Sequence, residues 1–233
     1  MAYSMGPGKI VEDGLVFYVD AANKESYPGS GTTWFDLKGN DNGTLTSSPT
    51  FVNENGGVID FDSTDYVNTN LDSSTYNSFS INAWVNGDSL STYQTVAAQT
   101  RYGTPWSNSS WLLYIEAPGG TPYMTFYIGS GGSFILAGKN TVLSSGQWYH
   151  VVGTWDGSTS KLYINGVKET TEGTVPSMNT TPINTLIGAS LNGGGTGNTG
   201  YWNGKISNVQ IHNRALSSQE VNQNYNALKG RFV

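Results

Sequence analysis

Short runs of β-branched and aromatic residues, broken by Gly, Asn, Asp and Pro, recur along almost the whole chain. They include GLVFYVD (14–20), GGVIDF (56–61), SFSINAWVN (78–86), TVAAQT (95–100), SWLLYIEA (110–117) and YMTFYIG (123–129). SFILAG (133–138), WYHVVGTW (148–155), KLYING (161–166), TLIGAS (185–190) and GKISNVQIHN (204–213) continue the series. Such runs are short for helices and carry turn signals at their ends, so they read as strands of a two-sheet antiparallel sandwich. A chain of 233 residues buries a core without covalent staples. With no Cys, disulfides, thiolate metal sites and cysteine nucleophiles are excluded.

A helical pattern is confined to the end of the chain. In ALSSQEVNQNYNALKG (215–230), Ser217 and Glu220 have capping-box spacing, and Val221, Tyr225 and Leu228 fall on one face. Gly230 is placed to close the C-terminus. The spacing predicts a short terminal helix clasped onto the sandwich.

Charge narrows the partners. Only 12% of residues are charged, against about a quarter in an average protein, and the net charge is −6. The 11 Lys and Arg are scattered, so the chain lacks the basic stripe that a nucleic acid or an anionic membrane surface requires. No apolar run reaches membrane-spanning length, and MAYSMGPGKIVEDG has neither the basic start nor the apolar core of a signal peptide.

LSSGQWYHVVGTWDGSTSKLYINGV (143–167) gathers a His, two Trp and an Asp, and so invites a catalytic reading. Alternation puts Trp148, His150, Val152 and Thr154 on one face, and Tyr149, Val151, Gly153 and Trp155 on the other. Apolar residues on both faces suit a central strand covered on both sides. Asp156-Gly157 and Asn165-Gly166 mark turns. A histidine base needs a nucleophile and an orienting carboxylate, and no Gly-x-Ser-x-Gly elbow is present. His150 is expected to be structural.

The same stretch resembles the signature of the laminin-G-like, concanavalin A-like jelly-roll family. GLVFYVDAANKESYPGSGTTWFDLKGNDNGTL is similar to the family's opening segment, GGVIDFDSTDYV to its early Asp-rich strand, and FSINAWVN to its tryptophan strand. GYWNGKISNVQIHNRALSSQEV resembles the closing strand and helix start. The resemblance implies an all-β, two-sheet antiparallel jelly-roll sandwich with a short C-terminal helix, over residues 14–233. Residues 1–13, with Pro7 between Gly6 and Gly8, read as an extended N-terminal arm. By the same resemblance Trp202 and His212 stand where the family buries aromatic rings.

Three functions associated with such jelly rolls make different demands. Glucanases of this fold carry Glu-x-Asp-x-x-Glu on one strand, and no Glu here has an Asp two positions later. Glu169 and Glu172 read as a solvated loop, and no catalytic residue is assigned. Relatives also hold Ca²⁺ with carboxylates and carbonyls, the oxygen set this ion prefers. Asp60, Asp62 and Asp65 form the candidate group, with Asp20 or Asp36 as additions. Where relatives often have Ile-Asp-Glu, the chain has Ile206-Ser207-Asn208, so calcium is not favoured and no other cofactor is implied. Glycan binding needs exposed aromatic faces with polar groups beside them. QTRYGTPWSNSSW (99–111) supplies Arg101, Tyr102, Trp106 and Asn108, the candidate glycan-binding residues.

The opening segment is also similar to jelly-roll modules in structural proteins of tailed, often marine, phages. That resemblance implies a non-enzymatic virion surface protein, either a capsid decoration or a tail or fibre component, assembled in the host cytoplasm. Its partners would be other virion proteins and cell-surface or environmental glycans. The alternative is a free carbohydrate-binding lectin module of a bacterium, acting outside the cell.

Overall fold

The computed structural model describes residues 8–62, 64–91, 93–102, 109–180, 182–192 and 197–233. The first strands are β1 (Leu15–Asp20), β2 (Thr33–Trp34), β3 (Gly43–Thr46), β4 (Thr50–Val52), β5 (Val58–Phe61) and β6 (Tyr66–Asn68). The long central ones are β7 (Phe79–Gly87), β8 (Thr95–Tyr102), β9 (Ser109–Glu116), β10 (Tyr123–Ser130), β11 (Ser133–Val142), β12 (Trp148–Trp155) and β13 (Thr159–Ile164). Then come β14 (Val167–Lys168), β15 (Gly173–Thr174), β16 (Leu186–Ile187), β17 (Ser190–Asn192), β18 (Asn198–Thr199), β19 (Gly204–His212) and the helix α1 (Ser218–Leu228).

Among the described residues these strands form two sheets. One runs β14-β13-β12-β7-β19-β5-β4, with β1 also on β19 and β15 on β13. The other runs β11-β10-β9-β8-β16-β6-β3-β2, and β17 joins the end of β8 in parallel. Every run singled out in the sequence contains a strand. The additional strands have only two to four residues, too few for alternation to declare them.

Alternation decides what faces the core. Phe79 and Ile81 of β7, Val151 and Trp155 of β12, Trp111 and Leu113 of β9, and Phe126 of β10 point between the sheets. The Phe79 ring lies 5.5 Å from Trp111, 5.9 Å from Phe126 and 6.3 Å from Trp155, joining both layers. At Gly153 the Phe126 ring fills the space of a side chain: a Cβ there would lie 2.6 Å from it.

The outer face of the first sheet is covered by the C-terminal segment. Ser217 and Glu220 form the expected capping box, worth about 1 kcal/mol. The buried face of α1 is Val221, Asn224 and Ala227, whereas Tyr225 and Leu228 are only partly buried. Gly230 does not cap the helix: Lys229–Arg231 continue as a single tighter turn. That turn carries Arg231 back to Asp20, with Nη1 3.0 Å from Oδ2, and seats Phe232 against Trp84 at 4.3 Å.

His150 lies beneath this cover with no exposed surface, between Trp84 (5.2 Å) and Tyr225 (5.8 Å). Among the described residues neither of its ring nitrogens has a hydrogen-bond partner, and burial pushes its pKa down to about 3. It is a neutral packing ring, not a base. His212 is also buried, with Nε2 3.1 Å from the Val11 carbonyl. Val11 itself is buried with Val152, Tyr163, Leu216 and Val221, and its N–H donates to Asn224 Oδ1 (2.7 Å). Residues 9–13 therefore lie along α1.

Glu169 departs from the expectation of a solvated loop. It is 6% exposed, and its carboxylate accepts hydrogen bonds from the Asn140 and Thr141 amides and the Thr141 hydroxyl. It ties the end of β11 to the chain after β14. Glu172 is exposed and pairs with Lys168.

Candidate functional site

The outer face of the second sheet carries a groove of about 420 Å³ lined by Tyr93, Tyr114, Glu116, Tyr127, Ser133 and Phe134, among others. Its residues are the alternate set to the core. Trp111, Leu113 and Ile115 of β9 point inward, so Leu112, Tyr114 and Glu116 must point outward. On β10 the same alternation turns Tyr127 out beside Phe126 and Ile128.

Register then assembles the rings. Tyr127 pairs with Leu112, which places it diagonally from Tyr114, and Phe134 pairs with Gly129, diagonally from Tyr127. Diagonal positions bring aromatic side chains into contact. The Tyr93–Tyr114, Tyr114–Tyr127 and Tyr127–Phe134 centroids are 6.3, 5.5 and 5.5 Å apart, so four rings cross the strands in one series.

Tyr93 is held at φ +76, a conformation bulky residues rarely adopt, and is 49% exposed. Its N–H donates to the Ile115 carbonyl at 2.8 Å, fixing the ring's base beside β9. Strained backbone of this kind recurs at ligand clamps and switch regions.

Glu116 is the polar centre. Its Oε1 accepts from the Tyr114 and Tyr127 hydroxyls, both at 2.8 Å, and Oε2 accepts from Lys139 Nζ at 2.7 Å. Lys139 comes from an irregular stretch of β11, where the register against β10 slips and its φ is +68, the kind of bulge that re-aims a side chain. Burial pushes the Glu116 carboxyl up, but hydrogen bonds from Lys139, Tyr114 and Tyr127, with the Lys139 charge, outweigh it and hold the group below its ordinary value. Burial foremost pushes both tyrosines above theirs, with Tyr127 and then Glu116 adding to it at Tyr114, and Glu116 at Tyr127. Glu116 is thus an ionised acceptor at neutral pH, unlike a general acid, which needs a raised pKa. What the groove offers is the exposed Tyr93 ring and the partly buried Tyr127 and Phe134, with an ammonium and a carboxylate beside them, while Tyr114 is itself buried at 6% exposure.

A second depression, about 480 Å³, also has Tyr93 in its lining, together with Ser89, Ser91, Gln94, Gly200, Tyr201 and Asn203, among others. The candidates from the sequence are distributed differently. Arg101 and Tyr102 end β8, where their backbones pair with Leu191 and Asn192, and Trp106 and Asn108 lie outside the described residues. Trp202 is 1% exposed in the core.

Asp60, Asp62 and Asp65 share a small depression with Asp88 and Asn203. Burial foremost raises the Asp60 and Asp65 carboxyls, with nearby carboxylates adding to it. Asp62 Oδ1 is occupied by the Thr64 amide and hydroxyl, and Asp65 Oδ2 by the Asp62 amide. Among the described residues no group of three or more His, Asp or Glu is arranged to hold a metal ion. Asp20 is committed to Arg231, and Asp36 accepts from the amides of Tyr18, Lys38, Asn40 and Asp41.

The groove was not identified in the sequence because three of its rings come from segments that each read as an ordinary strand, and the fourth, Tyr93, from the short stretch between β7 and β8. The available signal was Tyr114 and Glu116 at alternate positions outside an apolar core face.

Comparison with known proteins agrees with the architecture. Mouse pentraxin-related protein PTX3 is 30% identical over 129 residues, which is 52% of this chain and 32% of that protein. The chain therefore spans about a third of that relative. Domain 4 of AbnA, an extracellular arabinanase from Geobacillus stearothermophilus solved with arabinotriose, superposes with a TM-score of 0.68 at 19% identity, covering 92% of this chain and all of that one. The binding domain of botulinum neurotoxin DC, solved with SialylT, superposes with a TM-score of 0.66 at 16% identity, covering 93% of this chain and 52% of that one. The model of the laminin-G-type concanavalin A-like lectin/glucanases superfamily matches residues 61–222, and the chain belongs to that family.

Proposed function

We propose that the protein is a carbohydrate-binding module whose site is the aromatic groove on the outer face of the second sheet. The exposed Tyr93 and the partly buried Tyr127 and Phe134, in series with the buried Tyr114 around Glu116, carry this reading. The C–H faces of a sugar ring stack on aromatic surface, while its hydroxyls hydrogen-bond to fixed polar groups. The sugar ligands of AbnA domain 4 and of the neurotoxin DC binding domain support the choice of ligand class.

The test is a glycan array followed by titration of the bound sugar. Tyr93→Gly removes a ring and suits the positive φ, so folding should be kept. Binding should weaken about tenfold, as it should in Phe134→Ala. An array on which the protein retains no sugar would sink the proposal.

The setting we propose is the surface of a virion, as a capsid decoration or a tail or fibre component contacting other virion proteins. The resemblance of GLVFYVDAANKESYPGSGTTW to phage structural modules supports it. Mass spectrometry of purified particles should find the chain, and its absence would favour the free bacterial lectin.

A further inference from the structure

We infer that the second depression lined by Tyr93 is a second sugar subsite, so that the ligand is a linear oligosaccharide bound along its length rather than a single terminal sugar. This rests on reading the groove as a sugar site.

Tyr93 lines both the groove and this depression, so the two hollows meet at one exposed residue. Both sides of that residue's backbone are fixed. Its N–H is bound to β9, and Gly200 lies so close that a Cβ there would be 2.4 Å from the Tyr93 carbonyl oxygen. The Thr95 amide donates to the Gly200 carbonyl at 2.8 Å, locking the 198–203 segment beside β8. The residue at which the two hollows meet is therefore fixed on both sides of its backbone.

The second hollow has the elements a sugar needs. Tyr201 supplies a partly buried ring, tilted against Tyr66 at 6.5 Å. Gln94 Nε2 and Asn203 Nδ2 both donate to Ser89 Oγ, at 3.3 and 3.1 Å. Ser89 then accepts twice and keeps its own proton to donate. Gln94 is 7% exposed, and its Oε1 has no hydrogen-bond partner among the described residues. An orphaned buried acceptor is costly unless something satisfies it. A small rotation of the amide would present Oε1 to a sugar hydroxyl, while Ser89 donates to a neighbouring oxygen. Neutral amides and a hydroxyl suit an uncharged sugar chain better than an ion.

The experiment uses the full chain and an array of mono-, di-, tri- and longer oligosaccharides, arabinotriose included. The strongest-binding series is then titrated at each length. Affinity should rise about tenfold between the shortest bound sugar and the longer members, the worth of one or two hydrogen bonds. In Gln94→Leu the longer members should bind no better than the shortest. Asn203→Ala should do the same, and circular dichroism confirms that each variant is folded. Binding that does not grow with length overturns the second subsite and leaves the groove standing. A length gain that survives in both variants also overturns it. No binding to any sugar overturns the groove and the subsite together.

Discussion

Acidification from about pH 7 to about pH 4 is expected to cost roughly 3 kcal/mol of folding stability through His150 alone. In the unfolded chain its imidazole takes up a proton as the pH falls through the ordinary value of 6.5, whereas in the folded protein burial delays uptake to about 3. The stability associated with the neutral ring is fully present above pH 6.5 and is lost progressively as the pH falls towards about 3. Its surroundings explain the delay: Trp84, Tyr225 and the covering helix leave no water to solvate an imidazolium, and no carboxylate among the described residues hydrogen-bonds to either nitrogen. Burial also lowers the pKa of His212, only partly offset by the Val11 carbonyl, so it adds loss in the same direction. Glu220 acts in a lower window. Hydrogen bonds from Arg214 foremost hold its pKa at about 2, so its contribution disappears only as carboxylates protonate below 4.5. Urea melts at several pH values would show a steep slope for the native chain and a flatter one for His150→Phe. That variant should be as stable as the native chain at pH 7, because it removes two unpartnered nitrogens. Identical slopes would mean that the imidazole is not the titrating group.

The second large effect is expected at the other end of the same cover. Arg231→Ala should destabilise the protein by about 3 kcal/mol, because it strips the partner from a buried carboxylate. The Asp20 side chain is 8% exposed, and both of its oxygens bind the Arg231 guanidinium. The same guanidinium donates to Ser207 Oγ and the carbonyls of Asn55 and Gly57, joining β1, β19 and the β4–β5 turn. Arg231→Lys should recover only part of the loss, since an ammonium cannot serve this spread of acceptors. Adding Asp20→Asn to Arg231→Ala should restore some stability by removing the stranded charge. Thermal melts of the four chains decide the matter. A loss below about 0.5 kcal/mol for Arg231→Ala, the size of an ordinary surface change, would show that the tail does not clasp the sandwich.

These effects also show what could be read from the sequence. Alternation identified the long strands, and the two-sided apolarity of WYHVVGTW anticipated cover on both faces of β12. The capping box fixed the start of α1, but Gly230 misled because the end of the segment is set by a distant Asp20. Glu169 misled for the same reason: its charge is satisfied by amides from β11, about thirty residues away. The groove required still more, since diagonal contact between Tyr114 and Tyr127 depends on register, which a single sequence does not display. Aromatics in loops attract a search for binding sites, and here three of the four organised rings stand on strands, with only Tyr93 in a loop.

The most direct measurement is nuclear magnetic resonance of the ring protons of Tyr93, Tyr114, Tyr127 and Phe134 during titration with the best-binding oligosaccharide. A sugar in the groove predicts saturable shifts at all four rings, with a common dissociation constant, and little change at Trp84 or His150 beneath the helix. Saturable binding that leaves those four rings unshifted would contradict the account.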